Sequence, residues 1–138
     1  MKLTSILSAF YLIVFLISCR QDEVFNSTLL TTWEAKNFIS LESVAYPKNE
    51  NIKILVTFDK SGRCNLKLDI NICTTTYTLL QNNQIEIGPS GCSKACCDSG
   101  FSQKLVTMLS QVTSYTLDGK TLKLNVPQWG YILLDLAN

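Results

Sequence analysis

Alternation of apolar and polar residues is the clearest pattern in the chain, and it predicts antiparallel β-structure. Residues 52–58 carry apolar side chains at the even positions, and residues 63–70 alternate polar and apolar without a break. A period of two over such lengths is typical of strands that bury one face. Because the turn-forming residues 59–62 lie between the two segments, they are predicted to form a hairpin.

The same pattern predicts two more hairpins and two single strands. The Asp118-Gly119 pair connects the last hairpin, since Gly119 can adopt the positive φ that a two-residue turn requires. The first strand is expected around Trp33. In addition to the two strands of the first hairpin, strands are expected at residues 30–39, 76–80, 84–87, 114–117, 121–126 and 131–136.

The hydrophobic period changes between the second and third hairpins, which predicts one helix over residues 99–110. Either Asp98 or Ser99 can cap its N-terminus. We expect its apolar face to plug the core of a strongly curved sheet or small barrel, and a partner-binding stripe is the alternative. The residues that follow helical spacing are Phe101, Leu105, Met108, Leu109 and Val112.

The first nineteen residues form a separate segment with the outline of a signal peptide. Lys2 precedes an uncharged stretch that is most apolar at residues 11–17. A transmembrane helix needs about 20 predominantly apolar residues, and this stretch is shorter and contains four hydroxyl side chains. It ends in Leu-Ile-Ser-Cys, which resembles the lipobox of bacterial lipoproteins. An uncleaved anchor and an ordinary signal peptide with an incidental cysteine are the alternatives.

The lipobox predicts that Cys19 is the lipid attachment point. A thiol is required for the thioether to diacylglycerol, and the new amino group can then be acylated. The expected organisation is a signal peptide over residues 1–18, the lipidated cysteine and a tether over residues 19–28, and one domain over residues 29–138.

The residues after Cys19 bear on the membrane that the lipid would enter. Arg20 is not the aspartate that resembles an inner-membrane retention signal. We therefore expect lipid anchoring in the outer membrane of a bacterial cell envelope, facing the periplasm or the cell surface. Asp22 and Glu23 resemble the surface-export signals of some Bacteroidetes lipoproteins, and a solvated tether explains them equally well.

Charge and composition exclude several classes of function. Loss of Lys2 with the signal peptide leaves eleven basic and eleven acidic residues, a balance that argues against nucleic-acid binding. The chain contains no histidine, which excludes Ser-His-Asp and Cys-His catalysis and histidine metal sites. No spacing pairs the carboxylates for catalysis. We expect no enzyme activity, no cofactor and no metal.

Residues 33–138 resemble the META domain, the family of the HslJ-type envelope lipoproteins. The motifs that carry the resemblance are the Asn71 to Tyr77 turn and strand, Ile85-x-Ile87, Ser93 to Cys97, the Phe101 to Leu109 helix and Leu122-x-Leu124. The chain departs from the family at Ile70, Thr75 and Ser93. The resemblance implies a lipocalin-like barrel in an envelope protein, sometimes linked to stress. It implies no catalytic residue, because the family's molecular activity is unassigned.

The remaining cysteines are disulfide candidates outside the cytoplasm. Cys64 lies on the apolar face of its strand, which predicts a buried thiol. Loop position and the family's cysteine in the segment favour a bridge from Cys73 to Cys96 or Cys97. A redox site, assisted by Lys94, and a thiolate zinc site are the alternatives, although the spacing is not Cys-x-x-Cys. The five candidates are Cys64, Cys73, Cys92, Cys96 and Cys97, so at least one stays unpaired.

Two non-enzymatic functions follow from these features. The first is a monomeric envelope lipoprotein whose domain is a protein-interaction or stress-related module, with an unidentified envelope protein as its partner. The second is binding of a small lipophilic ligand in the barrel mouth. It ranks second because the side chains expected to face inward are numerous enough to fill a small barrel. These are Ile54, Phe58, Leu66, Leu68 and Tyr77.

Overall fold

Strand β1 (Thr32–Ser40) lies inside the sheet, and the other elements are arranged on both sides of it. The structure, a computed structural model, describes residues 27–138. The predicted signal peptide, Cys19 and most of the tether lie outside these residues. The other elements are β2 (Leu55–Phe58), β3 (Arg63–Lys67), β4 (Ile72–Leu79), β5 (Ile85–Ile87), β6 (Gly91–Cys92), α1 (Gly100–Leu109), β7 (Ser114–Asp118), β8 (Thr121–Val126) and β9 (Gly130–Leu136).

The strands form one antiparallel sheet that closes almost completely into a barrel. Their order is β5-β4-β3-β2-β1-β9-β8-β7, and β6 pairs with β4 beyond the end of β5. The two outer strands meet where the Ile85 amide donates to the Thr113 carbonyl at 3.0 Å and the Tyr115 amide donates to the Asn83 carbonyl at 2.9 Å. The predicted fold class, mainly β with one helix in a small antiparallel barrel, is confirmed.

Inward-facing side chains and the helix fill the barrel. Trp33 is completely buried, and its indole Nε1 donates a hydrogen bond to the Leu29 carbonyl at 3.1 Å. The helix begins after Ser99, whose hydroxyl accepts a hydrogen bond from the Ser102 amide. Its buried face joins the core, as its spacing predicts, through Phe101, Leu105, Met108 and Leu109. No helix of residues 27–138 is long and apolar enough to cross a membrane.

Three strands differ from their predicted bounds. Strand β2 begins at Leu55, later than the predicted start at residue 52. Strand β3 ends at Lys67, and a bend follows, so Ile70 is exposed and the expected alternation does not extend to it. Strand β4 begins at Ile72, earlier than predicted, because Cys73, Thr75 and Tyr77 face inward. The threonines conceal this alternation, since a buried Thr75 and an exposed Thr74 look the same in a pattern of apolar residues.

Strand β1 contains a bulge that exchanges its inner and outer faces. Its pairing with β9 shifts register between Ala35 and Asn37. Before the shift the odd residues Trp33 and Ala35 are buried, and after it Phe38 packs against the core while Ile39 is exposed. An extra residue in one strand has this effect because side chains alternate with a period of two.

The register defines two ends of the barrel. At the near end the chain enters β1, and the Ala137 amide donates to the Thr32 carbonyl at 3.0 Å. At the far end Ser40 pairs with Gly130, and the Leu41 amide donates to the Trp129 carbonyl at 3.1 Å. The start of the loop of residues 41–54 and the turn at residues 127–129 therefore lie opposite the point of chain entry, and the loop then returns along β1 to Ile54, whose carbonyl accepts from the Ala35 amide at 2.9 Å.

Replacing Gly130 by alanine should destabilise the domain by about 3 kcal/mol, because Gly130 has a φ of +143°. An added Cβ would overlap the Ile39 carbonyl oxygen and lie 2.8 Å from the Ser40 Cα. Urea unfolding of the two proteins measures the difference. Gly100→Ala is the matched control, since no atom lies within 4 Å of its added Cβ, and it should change stability by less than about 1 kcal/mol. Equal effects would contradict this account.

Candidate functional site

The cysteines on β4 and β6 form the cross-strand bridge of the domain. Cys73 is bonded to Cys92, with Cα atoms 4.0 Å apart. This corrects the predicted bridge from Cys73 to Cys96 or Cys97. The physical reason is register: β6 places Cys92 directly opposite Cys73. A two-residue strand of Gly91 and Cys92 has no periodic signal, and so the sequence pattern did not indicate it.

Cys96 and Cys97 form a second bridge, between neighbours in the chain, and both residues are exposed. Cys64 is buried and forms no disulfide. Burial raises the pKa of its thiol to about 12, and the charge of Asp59 adds to the effect. Since the thiolate is the reactive form, Cys64 is an inert core residue.

A buried asparagine holds the segment between the sheet and the helix. The Asn71 Nδ2 donates to the Ala95 carbonyl at 2.8 Å and to Asp98 Oδ2 at 2.6 Å. Its Oδ1 accepts from the Ala95 amide at 3.0 Å and from the Ser93 hydroxyl at 2.7 Å. Asp98 in turn accepts from the Ile70 and Asn71 amides. This network, the Asn71 latch, holds the chain on both sides of Cys96 and Cys97.

Four aromatic rings meet at the far end of the barrel. The Phe38 ring centroid is 4.6 Å from that of Phe101, 5.8 Å from that of Tyr46 and 6.0 Å from that of Trp129. Such separations suit edge and offset contacts between rings. The far-end aromatic cluster therefore joins β1, the following loop, the helix and the turn before β9.

Lys104 closes this cluster. Its Nζ lies 5.0 Å from the Tyr46 ring centroid and 5.1 Å from the Trp129 ring centroid, and it donates to Glu42 Oε1 at 3.0 Å. That hydrogen bond is the main reason that the pKa of Glu42 is lowered and the pKa of Lys104 is raised. The first part of the loop after β1 is thus fastened to the helix in a definite position.

Beside the cluster lies an apolar surface, the far-end patch, made of Ile39, Leu41 and Tyr131. Leu41 is 89% exposed and Ile39 42%. Ile39 pairs with Tyr131 across β1 and β9, and a groove of about 420 Å³ runs along these residues and Trp129. Large apolar side chains exposed together often mark an interaction site.

Two groups of charged residues lie on and beside β1. Before the bulge, Glu34 bridges Lys36 and Lys48 at 2.9 Å each, and the Lys48 side chain is only 6% exposed. Hydrogen bonds from the two lysines, led by Lys48, lower the pKa of Glu34. At the far-end patch, Lys123 lies over the Tyr131 ring at 5.1 Å from its centroid and so places a positive charge beside the apolar side chains.

Asp59 accepts hydrogen bonds from the Ser61 amide and hydroxyl and from the Arg63 amide, so it shapes the turn after β2. Among residues 27–138, no group of three or more His, Cys, Asp or Glu residues could hold a metal ion.

The sequence pattern did not indicate the far-end patch. Strict alternation from Trp33 would place Ile39 and Leu41 inside, and only the bulge turns them outward. The one available signal was Leu41, an apolar residue between Ser40 and Glu42.

Comparisons with known proteins agree on family and fold. The family model of the META domain matches residues 27–132. A DUF4847 family protein from Bacteroides vulgatus aligns with a TM-score of 0.63 and 15% identity, over 83% of this chain and 97% of that chain. A protein from Burkholderia xenovorans aligns with a TM-score of 0.64 and 16% identity, over 82% and 88%. These identities show the fold alone. No curated protein matches in sequence.

The raised pKa of Cys64 predicts slow alkylation in the folded protein. At pH 8 iodoacetamide should modify Cys64 at least about a hundredfold more slowly in the native state than in urea. The reason is that a thiol with a pKa of about 12 is almost entirely protonated at pH 8 in the folded protein. Quenched alkylation with peptide mapping measures both rates. The Cys64 thiol should contribute fully to the free energy of unfolding below about pH 8.5. This contribution should fall as the pH rises towards 12, because the thiol ionises at a lower pH in the unfolded chain than in the folded protein. Equal rates would refute the assignment.

Proposed function

The chain belongs to the META domain family, and from this premise we propose that it is a bacterial envelope lipoprotein whose domain is a non-enzymatic protein-interaction module. Its lipid would be attached at Cys19 and anchored in the outer membrane. Its partner would be an envelope protein that covers the far-end patch. The observation that carries the proposal is the exposure of Ile39 and Leu41 beside Tyr131 on a rigidly held surface.

The construction of that surface supports a role in recognition. The β1 bulge turns Ile39 outward, and the Lys104–Glu42 pair fastens the adjoining loop to the helix. A surface that is already ordered loses less conformational entropy when a partner binds than a flexible loop would. Aromatic residues at the centre of a surface are common among those that dominate binding energy, and Trp129 and Tyr131 line the groove here.

The position of the far-end patch also suits an anchored protein. Seven residues separate Cys19 from Ser27, a length that reaches at most about 25 Å. From Thr32 to Leu41 strand β1 and its continuation run about 30 Å along the barrel, away from the point of entry. A domain tethered at its near end would thus present the far-end patch away from the lipid.

Binding of a lipophilic ligand inside the barrel has less support. The five residues expected to face inward are buried, and the helix adds its apolar face to the same core. Small barrels are filled by their own side chains, whereas ligand-binding barrels keep a cavity. The groove along Trp129 lies open on the outer surface. An open apolar surface suits a protein partner better than a small molecule, which needs an enclosed pocket.

Replacement of Leu41 by glutamate should weaken the partner complex by about tenfold or more, because a charge would replace an apolar contact of about 1.5 kcal/mol or more. The measurement is chemical cross-linking of the tagged full-length protein in its own cells, with quantitative mass spectrometry of the cross-linked products. Thermal unfolding of Leu41→Glu should match the parent, since this side chain is 89% exposed.

Ile72→Glu is the matched control for that experiment. Ile72 is 64% exposed but lies on β4, away from the far-end patch. A product that is lost in Leu41→Glu and kept in Ile72→Glu supports the proposal. If both variants keep it, the far-end patch is not the interface. Native mass spectrometry that instead finds a bound small molecule favours the ligand alternative.

Replacement of Cys19 by alanine should abolish lipidation and release the protein from the membrane fraction, because the thioether requires its thiol. Metabolic labelling with an alkyne fatty acid, followed by fractionation, measures both effects. Ser18→Ala, which keeps a small residue before the cleavage site, should remain labelled. A Cys19→Ala protein that stays in the membrane fraction would indicate an uncleaved N-terminal anchor instead.

A further inference from the structure

Cys96 and Cys97 lie on the surface, and the packing of the fold does not require a cysteine at either position. Both residues are exposed, and the apolar core contains neither of them. The Asn71 latch holds Ala95 on one side and Asp98 on the other. The two sulfurs are therefore kept together at a definite surface position by hydrogen bonds to their neighbours.

The two bridges of the domain differ in what they restrain. Cys73 and Cys92 are separated by 19 positions in sequence, and their bond ties β6 to the sheet. A disulfide stabilises a fold mainly by restricting the unfolded chain, and the effect grows with the length of the closed loop. A bond between adjacent residues closes no such loop. The Cys96–Cys97 pair therefore contributes little to folding stability.

The bridges also differ in access. In the first bridge Cys73 is fully buried and its partner Cys92 is exposed, whereas Cys96 and Cys97 are both exposed. Thiol–disulfide exchange requires an incoming thiolate to approach a sulfur atom, so exposure governs its rate. Lys94 lies two positions before Cys96 and is exposed, and a nearby ammonium group favours the thiolate form of a cysteine.

We propose that Cys96 and Cys97 form a thiol–disulfide exchange site for low-molecular-weight thiols and disulfides, separate from the structural Cys73–Cys92 bridge. A thiolate attacks one sulfur of the pair, forms a mixed disulfide and displaces the other cysteine as a thiolate. A second thiolate attacks the sulfur of the bound small thiol and releases the first cysteine. Two small thiols become one disulfide, and the pair gains two electrons and two protons. A small disulfide reverses the sequence.

Glutathione is the probe for the test. The full mature chain is equilibrated at neutral pH with mixtures of reduced and oxidised glutathione, quenched with acid, alkylated with N-ethylmaleimide and mapped by mass spectrometry. Cys96 and Cys97 should pass reversibly between the alkylated and bridged forms as the ratio changes, while Cys73 and Cys92 remain bridged. The reduced protein should bind one equivalent of phenylarsine oxide, which requires two neighbouring thiols.

Three variants separate exchange from a structural role. Cys96→Ser and Cys97→Ser should each stop at a glutathione mixed disulfide, because the resolving thiol is absent. The double variant Cys96→Ser/Cys97→Ser should lose arsenical binding and keep the melting temperature of the parent. The proposal is overturned if the pair does not respond to glutathione, if Cys73–Cys92 opens first, or if the double variant is as unstable as Cys73→Ser/Cys92→Ser.

Discussion

The bulge in β1 is the constraint on which the far-end patch and the position of the helix depend. Side chains alternate strictly along a strand, so a single extra residue between Ala35 and Asn37 reverses which side chains face the core. Phe38 then turns inward against Phe101, and Ile39 turns outward beside Tyr131. The same local irregularity thus attaches the helix to the far end and creates the apolar surface next to it.

Closure of the sheet determines what kind of function the fold can support. Because the strands curve almost fully around the helix and the inward side chains fill the interior, recognition is directed to the outside of the barrel. The chain enters at one end, and the aromatic cluster with its Lys104–Glu42 pair occupies the other. This arrangement would separate the proposed lipid anchor from the proposed contact surface.

The five cysteines of the domain differ in burial and in disulfide bonding. Cys64 is enclosed in the core, where its raised pKa keeps it protonated. Cys73 and Cys92 connect two paired strands. Cys96 and Cys97 lie outside the core on a segment that the Asn71 latch already holds. Cys96 and Cys97 are thus the bridged pair in which both residues are exposed and no long loop is closed, as the proposed exchange site requires.

The sequence by itself determined the main hairpins, the helix with Asp98 and Ser99 as candidate caps, and the inward faces of β2 and β3, because these follow from local periodicity and turn chemistry. Its motifs also indicated the META family. Only the tertiary structure decided the β1 bulge, the outward position of Leu41 and the pairing of Cys73 with Cys92. Those features depend on the register between strands that are distant in sequence. The β1 bulge lies in the pairing with β9, and β6 pairs with β4. Such register arises from packing across the whole barrel, and a pattern of neighbouring residues does not contain it.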